Sequence, residues 1–162
     1  FKLGDTVSIM KDGKIIQTDT PQGMTSNPVN EYVENFINSA DKSQIYCVKH
    51  IMNTPTCLIH SRDGANNALK QMKELGVSSA YVVDDNMKYV GLLTLEQALK
   101  IRAGEIQFYD SITKGLPTTS KETLISDLIP IAASAQYPIA VVDDENQLSG
   151  IVTKAAVLGS LI

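Results

Sequence analysis

The sequence predicts an α/β protein made of two β-α-β-β-α repeats, with a β-hairpin and a helix ahead of them. Two observations carry the repeat: Val82-Val83-Asp84-Asp85 recurs as Val141-Val142-Asp143-Asp144, and Gly91-Leu92-Leu93-Thr94 recurs as Gly150-Ile151-Val152-Thr153, both at an offset of 59 residues. A third is that the same offset pairs Ser61 with Ser120, Arg62 with Lys121, Asp63 with Glu122 and Leu69 with Leu128 without a gap. Self-similarity at a fixed period marks a repeated structural unit. The composition permits it. The chain has 162 residues, 43% apolar and 20% charged, the make-up of a soluble globular protein, and a chain of that size buries about two thirds of its unfolded surface without disulfides.

Taken in order, Val7 and Ile9, then Ile15 and Ile16, flank Lys11-Asp12-Gly13-Lys14. Asp-Gly between apolar runs is a strong hairpin signal, because both turn residues must tolerate positive φ. Asn27-Pro28 then reads as an N-cap and first-turn proline, after which Val29, Tyr32, Val33, Phe36 and Ile37 recur at helical spacing. Residues 1–38 are too few to cover that stripe alone, so the expectation is a remnant of a larger domain. The chain opens on Phe1 instead of Met, which adds the expectation of a piece of a longer protein. Residues 39–51 read as a linker, opened by the polar run Ser39 to Ser43.

The first repeat is placed at 52–110 and the second at 111–162. In each, a helix (Ala65, Ala68, Leu69, Met72 and Leu75, or Leu124, Leu128 and Ile131) precedes a buried strand, Ala80 to Val83 or Ile139 to Val142. A polar turn, a second strand and a helix opened by Thr94 or Thr153 follow. Pro130 falls inside the second repeat's first helix, where proline costs about 3 kcal/mol or forces a kink, so a broken helix is expected there.

Charge and hydropathy exclude some partners. With 14 basic and 18 acidic side chains, a net charge of −4 and no run of five like charges, nothing in the chain forms an electrostatic footprint for nucleic acid or an anionic membrane surface. The most apolar stretch, Leu128 to Val142, is interrupted by Pro130, Ser134, Gln136 and Pro138 and falls short of the roughly 20 residues of a membrane span. No signal peptide is legible.

The side chains that carry chemistry are few. Asp84-Asp85 and Asp143-Asp144 end apolar strands and read as turn residues, not paired catalytic carboxylates. Cys47, His50, Cys57 and His60 form a C-x2-H-x6-C-x2-H array, which is zinc chemistry in one reading and two reduced thiols with two surface imidazoles in the other. A short spacer, and a strand that would aim Cys57 and His60 to opposite faces, favour the second. Thr94 and Thr153 each sit where a threonine caps a helix, and a helix start also attracts anions.

The repeated V-V-D-D, short turn and G-h-h-T before a helix, in two copies over about residues 45–162, resembles the cystathionine-β-synthase (CBS) domain, and the tandem resembles a Bateman module. Leu3-Gly4-Asp5-Thr6-Val7-Ser8-Ile9-Met10-Lys11-Asp12-Gly13-Lys14-Ile15-Ile16-Gln17, with Thr20-Pro21 and the stretch from Asn27 to Phe36, resembles the C-terminal end of an ABC transporter ATPase domain. The combination resembles the ATP-binding subunits of glycine betaine, carnitine and choline importers. That resemblance implies a regulatory module that senses rather than catalyses, cytoplasmic and peripheral to the inner face of the cell membrane, with the importer's permease subunits as partners through the missing ATPase domain. No metal is implied at the Cys and His array.

The family pairs such modules into discs, so a homodimer through the CBS helices is expected, and its clefts often bind adenine nucleotides. In nucleotide-binding members an aspartate three residues after the capping threonine holds the ribose. Here those places are Gln97 and Ala156, a departure that counts against AMP or ATP. The importers imply cyclic di-AMP across the two-fold instead, with Tyr137 stacking on adenine, Lys154 meeting phosphate, Thr153 adding helix-start donors, and Val77, Ile139 and Ile151 as apolar walls. No cofactor is required. Two other readings stand beside this one. In the first the paired domains only dimerise the subunits. In the second they sense ionic strength at a membrane, against which the lack of a basic cluster argues.

No G-x-x-x-x-G-K-[ST] occurs, and Leu148-Ser149-Gly150 lacks the Gly-Gln that would complete an ABC signature. The purified chain is therefore expected to hydrolyse no ATP above background. A turnover assay checks this, and activity that survives purification to homogeneity refutes it.

Overall fold

The computed structural model of the chain describes residues 6–39 and 42–161. Leu3-Gly4-Asp5 of the opening motif and Ala40-Asp41 of the connector lie outside the described residues.

The Asp12-Gly13 turn forms as its residue types require: both take positive φ, 51° and 76°, and pair β1 (Val7–Lys11) antiparallel with β2 (Lys14–Asp19). The next step departs from expectation. Asn27-Pro28 does not open a helix. Thr20-Pro21 does, starting α1 (Pro21–Ser26), with Thr20 Oγ1 accepting from the Gly23 amide at 3.0 Å. Asn27 closes α1, and α2 (Glu31–Asn38) is capped by Asn30, whose Oδ1 accepts from the Val33 amide at 3.0 Å. The reason is the buried Gln17. Its Nε2 donates to the Asn27 carbonyl and its Oε1 accepts from the Val29 amide, each at 3.0 Å. Those two backbone groups are thereby satisfied outside any helix. Of the expected stripe only Val33 and Ile37 are buried, together with Ile9 and Met24, while Val29 and Phe36 stay more than half exposed.

The two repeats follow the expected order. The first comprises β3 (Leu58–His60), α3 (Gly64–Leu75), β4 (Ser79–Val83), β5 (Tyr89–Thr94) and α4 (Leu95–Arg102). A short α5 (Phe108–Ser111) precedes the second, which comprises β6 (Thr118–Thr119), α6 (Ile125–Ser134), β7 (Ile139–Val142), β8 (Leu148–Val152) and α7 (Lys154–Gly159). The sheets have the same topology, β3-β4-β5 and β6-β7-β8, with a parallel pair followed by an antiparallel one. The helix α6 runs unbroken through Pro130, contrary to expectation. Pro130 lies on the exposed side, where water can serve the Ser126 carbonyl that loses its donor.

Alternation along the strands sorts the core into layers. Ala80, Val82 and Leu93 face α3 and α4, and Ile139, Val141 and Val152 face α6 and α7. The opposite strand faces meet each other through Tyr81, Val83, Leu92, Ala140, Leu148 and Ile151. Helices thus cover the outside of two sheets that pack face to face.

The aspartates are turn residues as expected. Asp84 Oδ1 accepts from the Asn86 and Lys88 amides at 2.8 Å each, and Asp143 Oδ1 from the Glu145 and Gln147 amides at 3.0 and 2.8 Å. The two turns then bind one another: the Tyr89 amide donates to the Asn146 carbonyl at 2.8 Å and the Leu148 amide to the Met87 carbonyl at 2.9 Å. Met87 and Asn146 both adopt φ of 63°.

Segments ahead of each repeat cross to the other one. Val48, fully buried, packs in the second repeat's core, and Ile112 with Phe108 packs in the first repeat's. Asn53 pairs with Ile151 on β8, and Thr113 pairs with Leu92 on β5. The crossing explains Gly91. Its φ is 155°, and a Cβ there would collide with the Thr113 carbonyl and reach 2.7 Å from Ile112 Cγ2. At Gly150 the corresponding contact, with the Asn53 carbonyl, is 3.0 Å. Gly91→Ala is therefore expected to lose about 1–3 kcal/mol from the backbone alone, with the collision added, and Gly150→Ala to lose clearly less. Urea titration of both variants checks the order, and equal losses would contradict it.

Candidate functional site

The helix starts that face the repeat ends are already committed. Thr94 Oγ1 accepts from the Gln97 amide at 3.3 Å while Gln97 Oε1 accepts from the Thr94 amide at 2.8 Å, a reciprocal capping box. Gln97 Nε2 also donates to Thr113 Oγ1 at 3.0 Å. Gln97, three residues after the capping threonine, thus braces the connector between repeats. Thr153 caps α7, its Oγ1 accepting from the Ala156 amide at 3.1 Å. The T-x-x-Q spacing of Thr94 and Gln97 is the sequence signal for this capping box.

Tyr137 is half-buried at the rim of a 20 Å³ crevice between the repeats, lined with Tyr89, Leu116, Pro117 and Pro138. That volume holds about one water molecule. Next to it Tyr81 donates its hydroxyl to the Pro138 carbonyl at 2.8 Å across the interface, and its ring lies 6.3 Å from that of Tyr89. Burial pushes the Tyr89 phenol up to about 12, and burial with the nearby Tyr89 raises Tyr81 further. Neither tyrosine had been singled out from the sequence, where Tyr81 reads as one more apolar strand residue.

Two grooves open on the helical faces. One, of 450 Å³, lies between α3 and α4, lined by Leu69, Val77, Leu95 and Leu99 with Lys73 and Arg102 on its rim. The other, of 180 Å³, lies between α6 and α7, lined by Ile129, Ala132, Leu158 and Leu161 with Lys154. Offset by 59 residues, Leu95 corresponds to Lys154 and Leu99 to Leu158, so the grooves are equivalent in the repeat. Lys154 is exposed, and its Nζ donates to the Ala133 carbonyl in the last turn of α6 at 3.1 Å, a favourable place for a cation.

The six expected ligand residues therefore do not share one cavity. Val77 sits in the first groove, Lys154 in the second, and Tyr137 at the crevice. Thr153, half-buried, adjoins Lys154. Ile139 and Ile151 are 3% and 4% exposed and lie on opposite faces of their sheet, one in the helix-side core and the other between the sheets. The register explains this, since Ile139 pairs with Val152 and Ile151 with Ala140. They cannot wall the same ligand in one chain.

The cysteines and histidines separate likewise. Cys47 and Cys57 are buried, which raises both thiols. His50 Nδ1 accepts from the Cys47 amide at 3.0 Å, and His60 Nδ1 lies 3.3 Å from the Asp84 carbonyl on the first repeat. Among the described residues no three His, Cys, Asp or Glu side chains come close enough to hold a metal ion. Nor is any helix there long and apolar enough to cross a membrane.

Comparison with known proteins agrees with this architecture. The CBS domain family matches residues 48–104 and 103–162. The glycine betaine transport ATP-binding protein OpuAA of Bacillus subtilis is 34% identical over 99% of the chain and 38% of its own length. The glycine betaine/carnitine transport ATP-binding protein GbuA of Listeria monocytogenes is 34% identical over 99% of the chain and 41% of its own length. The chain thus spans about two fifths of these relatives. Among solved structures, Staphylococcus aureus OpuCA superposes with a TM-score of 0.59 at 25% identity, over 67% of this chain and 92% of that one. CBSX2 in complex with AMP gives 0.59 at 23%, over 71% and 95%.

The raised phenols set a pH dependence. A group that holds its proton more tightly in the folded state contributes stability below its unfolded value, near 10 for tyrosine, and that contribution is lost as pH climbs through the folded value. The thermal midpoint is expected to fall between pH 10 and about 12, and to fall less steeply in a Tyr81→Phe, Tyr89→Phe double variant. Thermal melts across that range check the difference in slope. Parallel slopes would mean that these phenols do not set it.

Proposed function

The chain belongs to the CBS-domain family, and from that premise we propose that it is the regulatory module of an osmoprotectant ABC importer's ATP-binding subunit, switched by an adenine nucleotide. Its relatives carry betaine and carnitine transport in their names and extend well beyond the length matched here. In the intact protein an ATPase domain would join the module to permease subunits at the inner face of the membrane. The structural neighbours CBSX2, in complex with AMP, and MJ0100, in complex with methylthioadenosine and S-adenosylmethionine, share adenosine as the common part of their ligands.

The observation that carries the choice of ligand is the closed crevice. A pocket for a drug-sized ligand spans about 300–1,000 Å³, and the space beside Tyr137 is 20 Å³. Gln97 is engaged in its cap and Ala156 has no polar group. A nucleotide read by Tyr137 and Lys154 is better served at a surface completed by a second chain. A symmetric dinucleotide has two adenines and two phosphates for two such surfaces. Cyclic di-AMP bound across a homodimer fits this, with Tyr137 on the base, Lys154 and Thr153 near phosphate, and Val77 at the edge. Ile139 and Ile151, buried on opposite faces of their sheet, then support the surface from within and are not contacts.

A second reading is favoured by one observation. Leu95, Leu99, Leu158 and Leu161 are 38%, 42%, 63% and 42% exposed along the two grooves, so the same pairing could serve dimerisation without a ligand.

Calorimetric titration with cyclic di-AMP, AMP and ATP separates these. The expected result is binding of the dinucleotide at one per two chains. Tyr137→Ala should weaken it roughly ten- to a hundredfold, the worth of a base–aromatic stack, and Lys154→Ala should weaken it more at low salt than at high. Tight AMP binding without the dinucleotide overturns the order of ligands, and silence from all three favours the dimerisation reading.

A further inference from the structure

Residues 42–53 precede the first repeat in sequence and pack on the second. The turn at Lys42–Gln44 rests against α6, and Val48 is fully buried in the second repeat's core. Five backbone hydrogen bonds hold the strap there. The Ile125 amide donates to the Tyr46 carbonyl at 2.9 Å, and the Val48 and Lys49 amides donate to the Thr123 and Lys121 carbonyls at 2.9 and 3.0 Å. Asn53 and Ile151 exchange both of theirs at 2.9 Å. At its other end Tyr46 shares a 350 Å³ cavity with Ile37 and Asn38 of α2. The equivalent crossing on the first repeat, Thr113 against Leu92 with Gln97 as its brace, holds the connector between repeats and not the N-terminal unit.

We infer that this strap couples the N-terminal unit to the second repeat and bypasses the first. Ile151 lies two residues before Thr153, so a shift at the α7 end of β8 acts directly on Asn53, and through residues 46–53 on α2. The first repeat has the same fold, and among the described residues it makes no such backbone bonds to the strap. The inference stands on the strap's bonds to the second repeat and on the place of Tyr46 beside α2, and it holds whichever ligand, if any, the module takes.

Amide hydrogen exchange on the full chain tests it, because exchange reports local opening residue by residue. Gly150→Ala presses a Cβ toward the Asn53 carbonyl, 3.0 Å away. Gln97→Ala removes the brace on Thr113. Gly150→Ala is expected to raise exchange roughly threefold or more at Val48, Lys49 and Asn53 and also in α2. Gln97→Ala is expected to raise it at Leu92 and Thr113 while the strap and α2 keep wild-type rates. Val48→Ala, which disturbs the strap from its other side, should reproduce the first pattern and serves if Gly150→Ala does not fold. The inference is overturned if the strap loosens while α2 stays protected, or if Gln97→Ala loosens α2 as much as Gly150→Ala does.

Discussion

The sheet of each repeat is completed by backbone from outside that repeat, and the other features follow from that exchange. Asn53 adds to β8 and Thr113 adds to β5, while Val48 and Ile112 enter the core of the repeat that does not follow them in sequence. Neither repeat has a full set of backbone partners or a closed core without the other's lead-in. The reciprocal bonds between the 84–88 and 143–147 turns fix the same interface at its far end. Such pairing leaves little room for relative motion, so the inter-sheet space is packed like an interior and is not a ready-made cleft.

That constraint governs which polar groups remain available. Asp84 and Asp143 are spent on their turns, Thr94 and Gln97 on a cap and a brace, and Tyr81 on the Pro138 carbonyl. The helical side carries two apolar grooves, with Lys154 lining one and Lys73 and Arg102 lining the other. The crevice between the repeats, at 20 Å³, has no volume for a base.

Much of this was legible in the sequence because repetition and turn chemistry are local. The offset of 59 residues located β4, β5, β7 and β8 and the helices beside them, and Asp-Gly located the first hairpin. What misled was long-range. The Asn27-Pro28 pair carries a valid helix-start signal, but Gln17, ten residues away, claims its carbonyl, and local patterns do not encode such a claim. Pro130 carries a valid helix-break signal, but its exposure lets the helix continue. Ile139 and Ile151 both look like apolar walls until the register of β7 against β8 puts them on opposite faces. The strap and Tyr81 depend on contacts between segments 57 to 98 residues apart, which periodicity does not report.

Where two copies of one unit diverge, the differences show how labour is divided. At equivalent positions Tyr81 faces Ala140 in the repeat, Tyr89 corresponds to Leu148 and Leu95 to Lys154. The first repeat contributes the bulk that fills the shared interior, and a small residue at position 140 leaves room for it. The second repeat puts a cation where the first has a leucine, and it alone receives the strap from the N-terminal unit. Bulk and attachment are thus sorted between the halves, while their backbones remain alike. A symmetric pair of identical repeats would present equivalent grooves and have no preferred route to the rest of the chain. The asymmetry supplies that preference, and it places Lys154 and the N-terminal attachment on the same half of the module.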